Sequence, residues 1–120
     1  MRFKNIGKYF LPAVFLAGCT LSYVKEDTLK SLEKKYEGIY VCLKDLPTGN
    51  DEFMKSGTRV RLYFQSGSNS LKVYAYPFDI SREQSIGKNI LYLFDTDFPD
   101  NKFEEIVLEN KLQEIVKKVQ

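Results

Sequence analysis

Three basic residues, Arg2, Lys4 and Lys8, precede an apolar run from Tyr9 to Ala17 that stops at Gly18-Cys19. A basic head, a short apolar stretch and small residues at its end are the parts of a secretory signal, which is removed and takes no share in the core. The run falls far short of the roughly 20 apolar residues needed to cross a bilayer. No second stretch of that kind follows. Folding is therefore left to 102 residues, Cys19 to Gln120, which suits one small domain and leaves little room for two. Loss of residues 1–18 also resets the charge. All 16 acidic residues and 15 of the 18 basic ones lie beyond the signal, giving a formal −1. The basic balance of the whole chain is thus no argument for nucleic-acid binding.

Leu16-Ala17-Gly18-Cys19 resembles the lipobox of bacterial lipoproteins. The resemblance implies thioether lipidation of Cys19, cleavage before it, and acylation of the new amino group. A single acyl chain, at roughly 0.8 kcal/mol per buried CH2, holds a protein only marginally, whereas two or more make a stable anchor. The expected organisation is a signal over 1–18, a lipidated tether over 19–26 and a single domain over 27–120. The expected place is the cell envelope, on the outer membrane, with the covalent lipid and no cofactor or metal. With Cys19 lipidated, Cys42 has no partner for a disulfide within the chain. In the strand-like run Ile39-Tyr40-Val41-Cys42-Leu43 it is expected to pack as a small hydrophobe.

Periodicity sets the remaining elements. Leu29, Leu32 and Tyr36 recur at helical spacing, and Glu37-Gly38 offers a stop, so a short amphipathic helix is expected over 27–36. Ile39 to Lys44 is rich in strand formers. Val60, Leu62 and Phe64 alternate with Arg59, Arg61 and Tyr63, and Leu71, Val73 and Ala75 alternate with Lys72, Tyr74 and Tyr76. The turn residues Ser66-Gly67-Ser68-Asn69-Ser70 between them predict an antiparallel hairpin. Asn89 to Phe94 reads as a further strand. Beyond Pro99, Leu108, Leu112, Ile115, Val116 and Val119 fit one face of a C-terminal amphipathic helix.

These elements predict an α+β domain: a small, strongly curled antiparallel sheet or SH3-like barrel of four to five strands, flanked by the two helices. A curled barrel would remove exposed edges. Phe53 to Leu62, reading Phe-Met-Lys-Ser-Gly-Thr-Arg-Val-Arg-Leu, is similar to the turn and second strand of bacterial SH3-like domains. There they follow a first strand, here 39–44, and a long irregular loop, here 45–52. The chain has no tryptophan and lacks the aromatic peptide-groove signature of that class. Together with the lipobox, the segments 32–38, 55–60 and 71–77 resemble small lipoproteins associated with type II secretion. That resemblance implies an envelope accessory acting near a secretin. No binding residue transfers with it.

Enzyme chemistry finds little footing. There is no histidine, which removes Ser-His and Cys-His nucleophiles and the common zinc sites. Ser31-Leu32-Glu33-Lys34 matches a Ser-x-x-Lys pattern without its companion motifs and reads as chance. Asp95, Asp97, Asp100, Glu104 and Glu105 fail the EF-hand spacing. They read as a strand-to-helix turn, with Asp97 or Asp100 capping the last helix and the acids favoured near its N-terminus.

The candidate site is the polar-aromatic face of the hairpin: Arg59, Arg61 and Tyr63 on one strand, Lys72, Tyr74 and Tyr76 on the other. Arginine and tyrosine bury well at protein interfaces. The same tyrosines could instead pack beneath one of the helices with their hydroxyls at the rim. The chain is therefore expected to be a non-enzymatic, lipid-anchored binding or assembly protein, with an envelope partner such as a secretin. The alternative expectation is a surface-exposed lipoprotein that binds host or extracellular ligands.

Overall fold

A computed structural model describes residues 22–49 and 51–120. Helix α1 (Glu26–Lys35) carries Glu26 and Asp27 in its first turn and Lys34 and Lys35 in its last, charges that suit the helix dipole. Leu32 is its buried residue, and Tyr36, which ends the helix, is buried as well. Gly38 follows at φ +115°, where an added Cβ would lie 2.6 Å from the carbonyl oxygen of Gln120. Glycine is required there both for the left-handed backbone and for the close passage of the C-terminus.

The strands are β1 (Tyr40–Cys42), β2 (Leu46–Gly49), β3 (Glu52–Met54), β4 (Arg59–Ser66), β5 (Ser70–Pro77), β6 (Lys88–Phe94) and β7 (Val116–Lys118), with helix α2 (Glu105–Gln113) between the last two. Five of them form an antiparallel sheet in the order β6-β5-β4-β1-β7, and β2 pairs with β3 in a small second sheet. The domain is α+β, as the sequence predicts. The main sheet is open, with β6 and β7 as its edges, and does not close into a barrel.

The hairpin β4–β5 is the longest pairing, from Val60↔Pro77 to Ser66↔Leu71. Its inner face presents Val60, Phe64, Leu71, Val73 and Ala75, all buried, to Leu32 of α1, to Leu108 and Leu112 of α2, and to Val24. Full burial of a branched aliphatic or aromatic side chain contributes about 1.5–3 kcal/mol, so this layer supplies about half of the core. Val24 is 2 % exposed, its amide donates to Ser66 Oγ, and the Tyr23 amide donates to the Gly67 carbonyl. Two residues assigned to the tether thus belong to the packed domain. Cys42 is a buried free thiol, and burial pushes its pKa up. It sits where a small hydrophobe was expected.

Three expectations need correction. The C-terminal helix does not run to Val119: it ends at Gln113, and the chain turns into β7, which pairs with β1 through Cys42↔Val116 and Tyr40↔Lys118. Ile115 and Val116 are buried in either arrangement, so apolar spacing does not separate them. The backbone groups along the outer side of β1 need partners, and that decides for a strand. The loop at 45–52 is not irregular, because it holds β2 and the start of β3. Finally, neither Asp97 nor Asp100 caps α2. Asp97 Oδ2 accepts the Phe94 amide at 2.7 Å. Asp100 occupies a left-handed turn at φ +54°, and α2 begins after Glu104 without a side-chain cap.

Candidate functional site

Strand alternation puts Arg61, Tyr63 and Gln65 on the outer face of β4 opposite Tyr76, Tyr74 and Lys72 of β5, while Arg59 lies opposite Val41 of β1. All six predicted residues therefore share one face of the sheet, away from the core. The structure divides that face into a covered half and an open half.

The covered half lies beneath the connection 78–87, which folds back over the hairpin. The Arg82 guanidinium stands 3.7 Å over the Tyr63 ring, and Tyr63 meets Tyr76 edge-on at 6.3 Å between centroids. Arg61 Nε donates to the Phe78 carbonyl at 3.3 Å. Gly87 rests on Tyr76 so closely that an added Cβ would lie 2.4 Å from the ring. Burial pushes the Tyr76 phenol up, and the positive charge of Arg82 opposes this. A cleft of about 390 Å³ remains between Glu33, Arg61, Tyr63, Tyr76 and the connection.

Glu33 joins these parts. Its Oε2 accepts the Phe64 amide at 2.9 Å, and its Oε1 stands 3.9 Å from Arg82. Strand β1 covers β4 only at Arg59 and Val60, so among the described residues the rest of that side of β4 lacks a strand neighbour. The carboxylate of α1 satisfies one of the exposed amides. A charged group on a free edge also hinders pairing with a foreign strand. Nothing in the periodicity of α1 singles out Glu33 from its other polar residues.

The open half lies toward β6. Tyr74 Oη donates to Gln65 Oε1 at 3.0 Å, and the Lys72 ammonium stands 4.9 Å over the Tyr92 ring. Tyr92 and Phe94 stack at 4.5 Å and are each 43 % exposed. Both belong to this surface, and sequence reasoning missed them. Their signal was present, since they alternate with the inward Leu91 and Leu93, but their position beside Lys72 depends on the pairing Lys72↔Tyr92. Arg59 and Arg61 are exposed, Lys72, Tyr63, Tyr74 and Tyr76 half-buried. The arrangement offers cations and flat rings for contact with a partner. It places no nucleophile next to a base.

Among the described residues no three His, Cys, Asp or Glu side chains gather as a metal-binding group, and no helix is long and apolar enough to cross a membrane. Leu16, Ala17, Gly18 and Cys19 lie outside the described residues. No family model, curated protein or solved structure matches the chain.

Proposed function

We propose that this chain is a lipid-anchored, non-enzymatic protein of the bacterial envelope, held on the outer membrane through Cys19, which binds a protein partner and serves as an assembly accessory. The observation that carries the binding role is the outer face of β4–β5, where Arg59, Arg61, Lys72 and Tyr74 sit on the side of the sheet away from the core. Arginine and tyrosine side chains anchored on a rigid sheet are the usual centres of protein interfaces. The resemblance to small type II secretion lipoproteins makes a secretin the partner to test first.

We further propose that the domain is an open relative of the SH3-like barrel. The strand order supports this: a short first strand, a long connection bearing its own hairpin, three consecutive antiparallel strands, and a last strand returning to pair with the first.

The anchor and the partner are tested together. In intact cells the protein is crosslinked and its partners identified by mass spectrometry, with Cys19→Ala and Arg61→Ala/Tyr74→Ala proteins alongside. Cys19→Ala should leave the detergent phase, and retention there would refute the lipid anchor. The double substitution should cut partner recovery while the domain stays folded, its loss of stability limited to about 1 kcal/mol for each hydrogen bond removed, Arg61 to the Phe78 carbonyl and Tyr74 to Gln65. Unchanged recovery would exclude this face as the binding surface.

A further inference from the structure

At the far edge of the sheet, β7 pairs only with β1 among the described residues. The Leu43 amide donates to the Ile115 carbonyl and the Val119 amide to the Ile39 carbonyl. In an antiparallel ladder hydrogen-bonded pairs recur every second residue, so Val41 and Lys117 bond each other. The backbone groups of Val116 and Lys118 then point away from β1. Beside this edge lies a groove of about 340 Å³ whose apolar wall is made by Tyr36, Tyr40, Leu43, Leu112 and Val116. Leu43, in that wall, is 46 % exposed.

Two features mark the groove as more than a packing defect. The hydroxyl of Tyr36 is buried and has no hydrogen-bond partner among the described residues, an arrangement that costs stability unless something supplies an acceptor. Burial also pushes the phenol pKa up, so the group stays protonated and able to donate. The rim is basic, with Lys117 and Lys118 against the single acid Glu109. Lysines on an edge strand discourage indiscriminate pairing, yet the same charges favour a strand that carries acids.

We infer that β7 and its groove form a second binding surface, which accepts an extended acidic and apolar peptide segment as an added strand. Such a segment bonds the outward groups of Val116 and Lys118, sets an apolar side chain in the groove on the Val116 face, and places its acids on the opposite face, against Lys117. Strand addition of this kind takes affinity from the backbone and selectivity from alternate side chains. The surface is separate from the outer face of β4–β5 and does not depend on its role.

The test titrates the isotope-labelled full chain, in mild detergent, with an end-capped seven-residue peptide alternating valine and glutamate. A valine and lysine peptide of the same length is the counterpart. Amide resonances of Val116 and Lys118 should shift, and the glutamate peptide should bind roughly tenfold tighter than the lysine peptide. Lys117→Glu/Lys118→Glu should reverse that order. Tyr36→Phe, which removes an unpartnered polar group, should melt no lower than the parent. Equal affinity for the two peptides, or shifts confined to the Arg59–Tyr76 face, would overturn the inference. Arg61→Ala/Tyr74→Ala should leave this titration unchanged, so the two surfaces can fail independently.

Discussion

The two faces of the β4–β5 hairpin are made from the same two strands and serve opposite ends. On the inner face Val60, Phe64, Leu71, Val73 and Ala75 are buried among α1, α2 and the rest of the core, and water is excluded. On the outer face rings and cations meet the connection 78–87 at one end and solvent at the other. The inner face holds the domain together. The outer face is fixed in place by it, and so can spend its side chains on contact rather than on stability. This is why positions one residue apart along β4, such as Arg61 and Leu62, are expected to respond so differently to substitution.

The largest effect should come from the inner face. Leu71→Ala removes a fully buried side chain and leaves a cavity, at a cost of about 2–5 kcal/mol, to be read from denaturant unfolding. A loss below 1 kcal/mol would mean that the two faces are not energetically distinct.

Glu33→Ala acts at the boundary between the faces. It strips the Phe64 amide of its acceptor and frees Arg82, so a loss of about 1–2 kcal/mol is expected, together with faster hydrogen exchange at Phe64. Unaltered exchange there would show that the carboxylate does not guard the edge. Gly87→Ala pushes on the Tyr76 ring from above and should cost about 1 kcal/mol, with changed resonances at Tyr63 and Tyr76 but not at Leu71.

A pH titration sharpens the comparison in a different way. Burial raises the phenol pKa of Tyr36 and Tyr40 near the core and of Tyr76 under the connection. A folded pKa above the unfolded value near 10 means that the folded state holds its protons more tightly. That contribution is complete below about pH 10 and is lost as the pH rises toward the folded values. The buried Cys42 thiol, raised in the same way, adds a loss that starts nearer pH 9, so alkaline unfolding should set in from about pH 9 and steepen above about pH 10, where Tyr36→Phe should flatten the decline. A decline beginning at neutral pH would point to other groups.

Much of this architecture was legible in the chain because period-two alternation and helical spacing are local properties. The helix before Gly38, the hairpin across Ser66–Ser70 and the strand ending at Phe94 all follow from them, and so does the common face of Arg59, Arg61, Tyr63, Lys72, Tyr74 and Tyr76. The elements that were misread have ambiguous local patterns. Leu108, Leu112, Ile115 and Val116 satisfy a helix, yet Val116 pairs with Cys42 because β1 had backbone groups to satisfy. The pairing of β2 with β3 was hidden in a stretch interrupted by Pro47 and Gly49. For the candidate site, alternation identified which residues share a face, but not that Arg82, Gly87 and Glu33 would cover half of it.

The amino-acid sequence by itself determined the α+β class, the hairpin and the division of its side chains between two faces, because side-chain direction is fixed by the local repeat of the backbone. It also determined the charge, the absence of histidine and the lipobox-like segment on which the anchor proposal rests. Only the tertiary structure decided that the last residues form an edge strand, that the sheet stays open, that the outer face is half covered, and that the Tyr36 hydroxyl is left without a partner among the described residues. Each of these depends on which distant backbone or side-chain groups remain unsatisfied once the core has packed, and no local pattern records that.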